Sequence, residues 1–279
     1  MSIVHLAALA AVVLLAVPVS QAVWLPLTHL RFNRYHRRQG SAMPSLGSVA
    51  TLAYYWRALV ANLLMAWWFF RAFGRNGLRR PAGEVTGPPV LCVHGFLRNG
   101  TCMWGLRRAL EHRGRPTRAV SMGRPFRPIE RYAPPLERAL RELVGAHPEE
   151  AVDIVAHSMG GVILRLVLAQ HPRLASAVGR IVTLGSPHHG TAAVRGTRGA
   201  PESRQLDPGS RFLASLPVFS DSAPQSRIFT AAAERDFVVY PKTTSHLPGS
   251  RAVDFPEISH PGLLTESEVI RYVVEVLDG

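Results

Sequence analysis

The 279-residue sequence contains only two cysteines, Cys92 and Cys102, and two thiols provide no disulfide framework. Cys92 falls in a predicted buried strand, where a thiol serves as a small core residue. Cysteine usage therefore says nothing about redox compartment. Acidic residues are missing from the whole N-terminal region: the first is Glu84, whereas nine arginines lie between Arg31 and Arg80. Little of the formal net charge of +13 is left for the rest of the chain. A surplus confined to one end, beside long apolar runs, fits an anionic membrane surface better than nucleic acid. Zinc-finger spacing, RNA-binding sheet motifs and helix-turn-helix signatures are lacking, as are internal repeats and low-complexity tracts, so no nucleic-acid partner is expected. Hydrophobic residues make up 47%, which excludes global disorder and supplies a sizeable core. The length suits one main domain with an appendage.

Residues 3–30 carry no Asp, Glu, Lys or Arg, and about 20 such residues span a bilayer as a helix. The start "MSIVH" lacks the basic stretch that opens a secretory signal, and the apolar run continues through Trp24 and Leu25. An uncleaved anchor is expected. The "SQA" at 20–22 leaves a cleaved signal as the rival, and an interfacial segment is a third reading. Arg31, Arg34, Arg37 and Arg38 follow, and the positive-inside rule holds that helix end on the cytoplasmic side. This predicts attachment to a bacterial inner membrane, or a secreted or periplasmic protein if the N-terminus is cleaved.

A second apolar stretch, residues 46–70, is interrupted by Arg57 and ends in Trp67, Trp68, Phe69 and Phe70, which read as an interfacial aromatic belt. A lone mid-bilayer Arg must snorkel or pair. Arg71, Arg75, Arg79 and Arg80 make the far flank basic too, which favours an in-plane or re-entrant element over a second span. A helical cap packed on the next domain is the simpler alternative. Residues 1–82 are thus expected as a membrane-anchoring helical region. The Pro/Gly-rich linker "PAGEVTGPP" leads from it into a second domain, 83–279.

From there strand-like and helix-like segments alternate. Strands are predicted at "PVLCV" (89–93), "TRAVSM", "AVDIVA", "RIVTLGS", "RIFTAAA" and "RAVDF". Helices are predicted at 101–114, with Thr101 as N-cap and Gly114 as stop; at "APPLERALRELVGAH"; at "MGGVILRLVLAQH"; and at "TESEVIRYVVEVL", with Thr265 and Glu268 as a capping box. The pattern predicts an α/β domain: a doubly wound, mostly parallel sheet with helices on both faces.

In such a sheet ligands bind beyond the carboxyl ends of the strands. Ser158 stands at such an end, in "AHSMGG", with the small residues Ala156 and Gly160 two positions away on either side. A nucleophile on a tight strand–helix turn needs small neighbours there; a helix N-cap needs only the serine. Three further signals decide between these readings. "LCVHGFLRNG" (91–100) supplies a loop in which Gly95 lets the backbone turn, so that the N–H groups of Phe96 and Met159 can hold an oxyanion. His94 precedes the serine and reads as a loop-shaping residue. "RIFTAAAERDFVVYP" supplies an acid, with Asp236 preferred, Glu234 as fallback, and Asp221 and Asp254 less favoured. "FPEISHPGLL" supplies His260 as the base, with His246 as runner-up.

The order Ser158, Asp236, His260 and the motifs "VHGF", "AHSMGG", "GSPHHGT", "QLDPGSRFLASL", "ERDFVVYP" and "SHPGLL" resemble the α/β-hydrolase superfamily, bacterial lipases and esterases in particular. Ala156 departs mildly from the usual glycine. The resemblance covers residues from about Pro89 onward. It implies hydrolysis of carboxylic esters of lipids or acylglycerols with no organic cofactor, and no residue is singled out as a metal ligand. It further implies that His94, Gly95, His157, Pro187 and His188 line the substrate. The segment 187–227 is too short for a large cap domain but suits a small helical lid around Ser210–Leu216. A thioesterase or a phospholipase or lipid deacylase would use the same three residues. A non-catalytic hydrolase-fold binding protein is a reading from a different class.

Overall fold

The structure, a computed structural model, describes residues 23–40, 48–72, 77–81, 83–195, 200–223 and 227–279. The first part of the expected anchor (3–22), its "SQA" and Arg75 lie outside the described residues. Two helices open the described chain, α1 (23–38) and α2 (Ser48–Ala72). The sheet domain then runs β1 (Val90–Val93), α3 (Trp104–His112), β2 (Thr117–Val120), α4 (Ala133–Ala146), β3 (Val152–His157) and α5 (Met159–Gln170). It continues with α6 (Pro172–Ala175), β4 (Val178–Leu184), α7 (Pro201–Gln205), α8 (Arg211–Ser215), α9 (Phe219–Ser222), β5 (Arg227–Ala233), β6 (Arg251–Phe255) and α10 (Ser267–Asp278). All six strands were legible in the sequence.

The strands pair in the order β2-β1-β3-β4-β5-β6, and every pairing is parallel. A parallel sheet is covered on both faces, which is why β1 reads as an unbroken apolar run and β3, β4 and β5 are apolar along most of their length, whereas the edge strand β6 is largely exposed and carries Arg251 and Asp254. Side chains alternate across it: Leu91 and Val93 pack with Leu136, Leu140, Val162 and Ile163 of α4 and α5 on one face. Val90 and Cys92 pack with Leu106 and Leu110 of α3 and Val269, Val273 and Leu277 of α10 on the other. The four-residue spacing of the α3 and α10 contacts is that of an amphipathic helix. At the amino end of the sheet, the buried Arg115 and Asp153 are paired at 2.6 Å, and Arg115 also bonds the Leu277 carbonyl at 2.7 Å. That pins the end of α10 to the sheet.

Two caps differ from expectation. Asn99, not Thr101, caps the turn leading into α3, its side chain accepting from Thr101 N–H. Thr265 forms no capping box: its N–H and that of Glu266 bond the Gly262 carbonyl in a preceding tight turn, and α10 begins only at Ser267.

Helix α2 packs along the sheet domain with one face. Tyr54, Ala58, Ala61, Asn62 and Met65, spaced as one helical stripe, are buried, and Met65 joins the α3–α10 core. The expected aromatic belt is divided: Trp68 turns inward against Gly105 while Trp67 remains exposed. Arg57 bonds the Glu257 carbonyl. Helix α1 sets Phe32 against Phe237 and Tyr240. The packed-cap arrangement is therefore present, with an apolar outer surface that it does not cover.

Candidate active site

Strand order reverses between β1 and β3: the chain leaves β1 toward β2 on one side and leaves β3 toward β4 on the other. The carboxyl ends of β1 and β3 thus lie at a topological switch point, the place where open parallel sheets bind ligands. Val93 and Ala156 are paired in register there, so the loop after β1 and the turn after β3 lie side by side.

Ser158 forms that turn with φ +56° and ψ −134°. A non-glycine residue in this region is strained, and such strain is held where the surroundings over-determine it. Its side chain makes no cap to α5, which removes the simple N-cap reading. Instead Ser158 Oγ lies 2.9 Å from His260 Nε2, and His260 Nδ1 lies 2.6 Å from Asp236 Oδ2. All three are largely buried. Asp236 Oδ1 accepts two further bonds, from Val238 and Val239 N–H, each at 2.8 Å. With Oδ2 on the imidazole, both carboxylate oxygens are occupied and the side chain is locked. This assigns Nδ1 as the protonated nitrogen and leaves Nε2 able to accept the serine proton.

The other acids and the other histidine serve elsewhere. Glu234 and Asp254 share Lys242. His246 bonds Asp254 at 2.9 Å and Thr230 at 3.0 Å. Asp221 belongs to α9.

Gly95 earns its place by a close approach rather than by the turn expected of it. It is not among the positive-φ residues. A Cβ at this position would fall 2.6 Å from Ser158 Cβ and 3.1 Å from its Oγ, so the loop backbone lies directly against the serine and carries Phe96 past it. Met159 is the first residue of α5, and its N–H has no partner within the helix. Gly160 meets the same constraint from the other side, since a Cβ there would sit 2.6 Å from the His94 carbonyl. Ala156 is fully buried and keeps regular register with Val93 on one side and Thr183 on the other.

Three expected substrate-lining histidines are structural. His94 donates from Nδ1 to the Gly95 carbonyl at 2.7 Å and accepts at Nε2 from Met122 N–H at 3.1 Å. Burial pushes its pKa down to about 4, so the ring stays neutral and shapes the loop, as the sequence suggested. His157 stands behind the base rather than in front of it: its Nε2 donates to the His260 carbonyl at 3.1 Å, with the rings 4.7 Å apart. Burial holds its pKa well below that of a free imidazole. His188 is buried with Nε2 at 3.1 Å from Thr183 Oγ1, and burial depresses it likewise. Pro187 is buried in the same loop. Substrate-lining roles for His94, His157 and His188 are corrected accordingly: all three rings are enclosed by protein.

Residues that sequence reasoning missed hold the site loops in place. Arg165 of α5 donates to the carbonyls of Pro217, His188 and Leu216 at 3.0, 2.7 and 2.6 Å. A lone arginine in the apolar run "GGVILRLVLA" was its signal. Thr191 Oγ1 donates to the Val238 carbonyl at 2.8 Å and accepts from Tyr240 N–H at 3.1 Å, joining the "GSPHHGT" loop to the acid loop. From α2, Tyr54 Oη donates to the Arg235 carbonyl at 2.8 Å, and Asn62 Oδ1 accepts from Arg98 at 2.6 Å. The segment expected as a lid forms α8, with Ser210 as its N-cap and Leu213 and Leu216 in the core.

A family profile described as "PGAP1-like alpha/beta domain" matches residues 135–198, the span from α4 past the serine to the "GSPHHGT" loop. Among solved structures, the mature form of Bacillus licheniformis lipase BlEst2 superposes with a TM-score of 0.61 at 17% identity, covering 72% of this chain and 98% of that one. Aspergillus fumigatus lipase B superposes with a TM-score of 0.58 at 15% identity, covering 73% of this chain and 56% of that one. Identities this low establish a shared fold and leave activity to the site. A search of curated proteins finds no significant match.

Proposed function

We propose that this chain, which has the α/β-hydrolase fold, is a serine hydrolase that cleaves carboxylic esters of lipids through an acyl-enzyme. The observation that carries the reading is the chain of contacts from Ser158 Oγ through His260 to Asp236, with the serine on a strained turn at the switch point. His260 Nε2 takes the proton of Ser158 as Oγ attacks the ester carbonyl. Asp236 fixes the tautomer and stabilises the imidazolium. The N–H groups of Phe96 and Met159 hold the oxyanion, a contribution of several kcal/mol from donors positioned before the charge develops. Collapse expels the alcohol, which takes the proton from His260. A water then gives a proton to His260 and attacks the acyl carbonyl, and the second collapse returns that proton to Ser158. His157 and Arg165 act through other groups, as positioning residues.

Lipid esters are favoured over soluble ones because the chain keeps its apolar, arginine-flanked segments beside the site. Membrane attachment through residues 3–30 is part of the same reading. Ser158→Ala tests it: ester hydrolysis should fall by orders of magnitude with folding intact, and full retention would refute it. Comparing acylglycerol, thioester and phospholipid substrates on the wild-type chain separates a lipase from a thioesterase or a lipid deacylase using the same residues.

A further inference from the structure

Helix α2 has two faces with different tasks. The inner stripe touches three loops of the candidate site. Tyr54 bonds the carbonyl of Arg235, next to Asp236. Arg57 bonds the carbonyl of Glu257, three residues before His260. Asn62 bonds Arg98, two residues after Phe96. The outer stripe is apolar and exposed: Val49, Leu52 (67% exposed), Trp56 (65%), Leu64 and Trp67. Helix α1 adds Trp24, Leu27 and Leu30, and its exposed Arg31, Arg34, Arg37 and Arg38 follow.

Two more large apolar side chains are held out at the site itself. Leu97, directly after Phe96, is 62% exposed at φ +56°. Phe126, whose ring packs edge-on against Phe96, is 61% exposed at φ +61°. Left-handed backbone is costly for bulky residues, and here it presents apolar groups to the outside.

We propose that the outer face of α1 and α2 lies in the plane of an anionic phospholipid leaflet, so that the three loops held by α2 open onto the lipid surface. The occupant follows from composition. Apolar patches of this extent mark interaction sites. Tryptophan and leucine beside arginine, with no acidic residue before Glu84, fit an interfacial helix on anionic lipid. An in-plane position is also the one compatible with the inner-face bonds, which tie both halves of α2 to the same domain. The inference deepens the proposed function by naming where its substrate resides, and it rests on that reading only for the substrate.

The test uses the full-length chain reconstituted in vesicles of phosphatidylcholine and phosphatidylglycerol, with a nitroxide on Leu52→Cys or Leu64→Cys. Cys92 and Cys102 are buried, and burial pushes both thiols up to about 12, so the label goes to the introduced cysteine. The two sites are about 18 Å apart along the helix. Both labels should collide readily with oxygen, be shielded from an aqueous nickel chelate, and report equal depth. A label at Glu149→Cys, at the amino end of the sheet, should be aqueous. Nickel accessibility at residues 52 and 64 matching residue 149 would overturn the proposal. So would unequal depths, which indicate a spanning helix, or shielding from both reagents with dipolar coupling, which indicates a second copy of the chain. Leu52→Asp should lower hydrolysis of a vesicle-embedded ester about tenfold while leaving fluorophosphonate labelling of Ser158 unchanged. An unlabelled Ser158 with lipid-exposed nitroxides would refute the hydrolase reading and leave the docking intact.

Discussion

His260 presents Nδ1 to Asp236 Oδ2 at 2.6 Å while its carbonyl accepts from His157, so ring and backbone of the base are held from two directions. Asp236→Asn keeps an oxygen for the Val238 and Val239 N–H groups but removes the charge that fixes the tautomer. The expected loss in kcat is about 10⁴-fold, with an unchanged thermal midpoint. A loss below tenfold in the ester assay would show that Asp236 does not orient the base.

Gly95→Ala forces a methyl group into the space held by Ser158 Cβ. The loop must retreat and take Phe96 N–H with it. Losing one oxyanion donor costs about 10²–10³ in kcat. KM should change little, and kinetics within twofold of wild type would contradict the placement of Phe96.

Arg165→Met leaves the carbonyls of Pro217, His188 and Leu216 without their donor. Unpaired buried acceptors of this kind destabilise by about 3 kcal/mol in total, which corresponds to roughly 6–12 °C in Tm for a domain of this size. Denaturant midpoints measure it. No change in midpoint would show that the three carbonyls find water instead.

His94, His157 and His188 have pKa values depressed by burial. Below the ordinary imidazole value the unfolded chain takes up protons that the folded chain refuses, so stability is full above that value and falls as pH drops. For His94 the decline runs from about 6.5 down to about 4. Each ring contributes a slope of up to about 1.4 kcal/mol per pH unit. Urea midpoints at pH 7.5, 6 and 5 should fall in that order, and a flat series would mean that these rings are charged when folded.

The central strands were legible because buried parallel strands are predominantly apolar, as in β1, β3, β4 and β5; the two edge strands, β2 and β6, carry Arg118, Arg251 and Asp254 and were legible from their β-branched residues and their places between helical segments. Ser158, Asp236 and His260 were legible as a set, through their order and their places after strands. What stayed hidden depends on contacts between distant segments. Nothing local in "YYWRALVANLL" announces that Tyr54 and Asn62 reach the acid and oxyanion loops. His157 and His188 sit in motifs that look ligand-facing, yet alternation along β3 and the fold of the "GSPHHGT" loop enclose both rings. The reason for Gly95 was likewise invisible: its neighbour is Ser158, more than sixty residues on.

The reactivity of Ser158 is the most direct test of a nucleophilic serine at this site. A fluorophosphonate probe incubated with the folded, full-length chain should form one adduct, located by mass spectrometry at Ser158. Ser158→Ala should abolish it, and Asp236→Asn should slow it by orders of magnitude. A folded chain that forms no adduct, or forms it at another serine, would contradict the assignment.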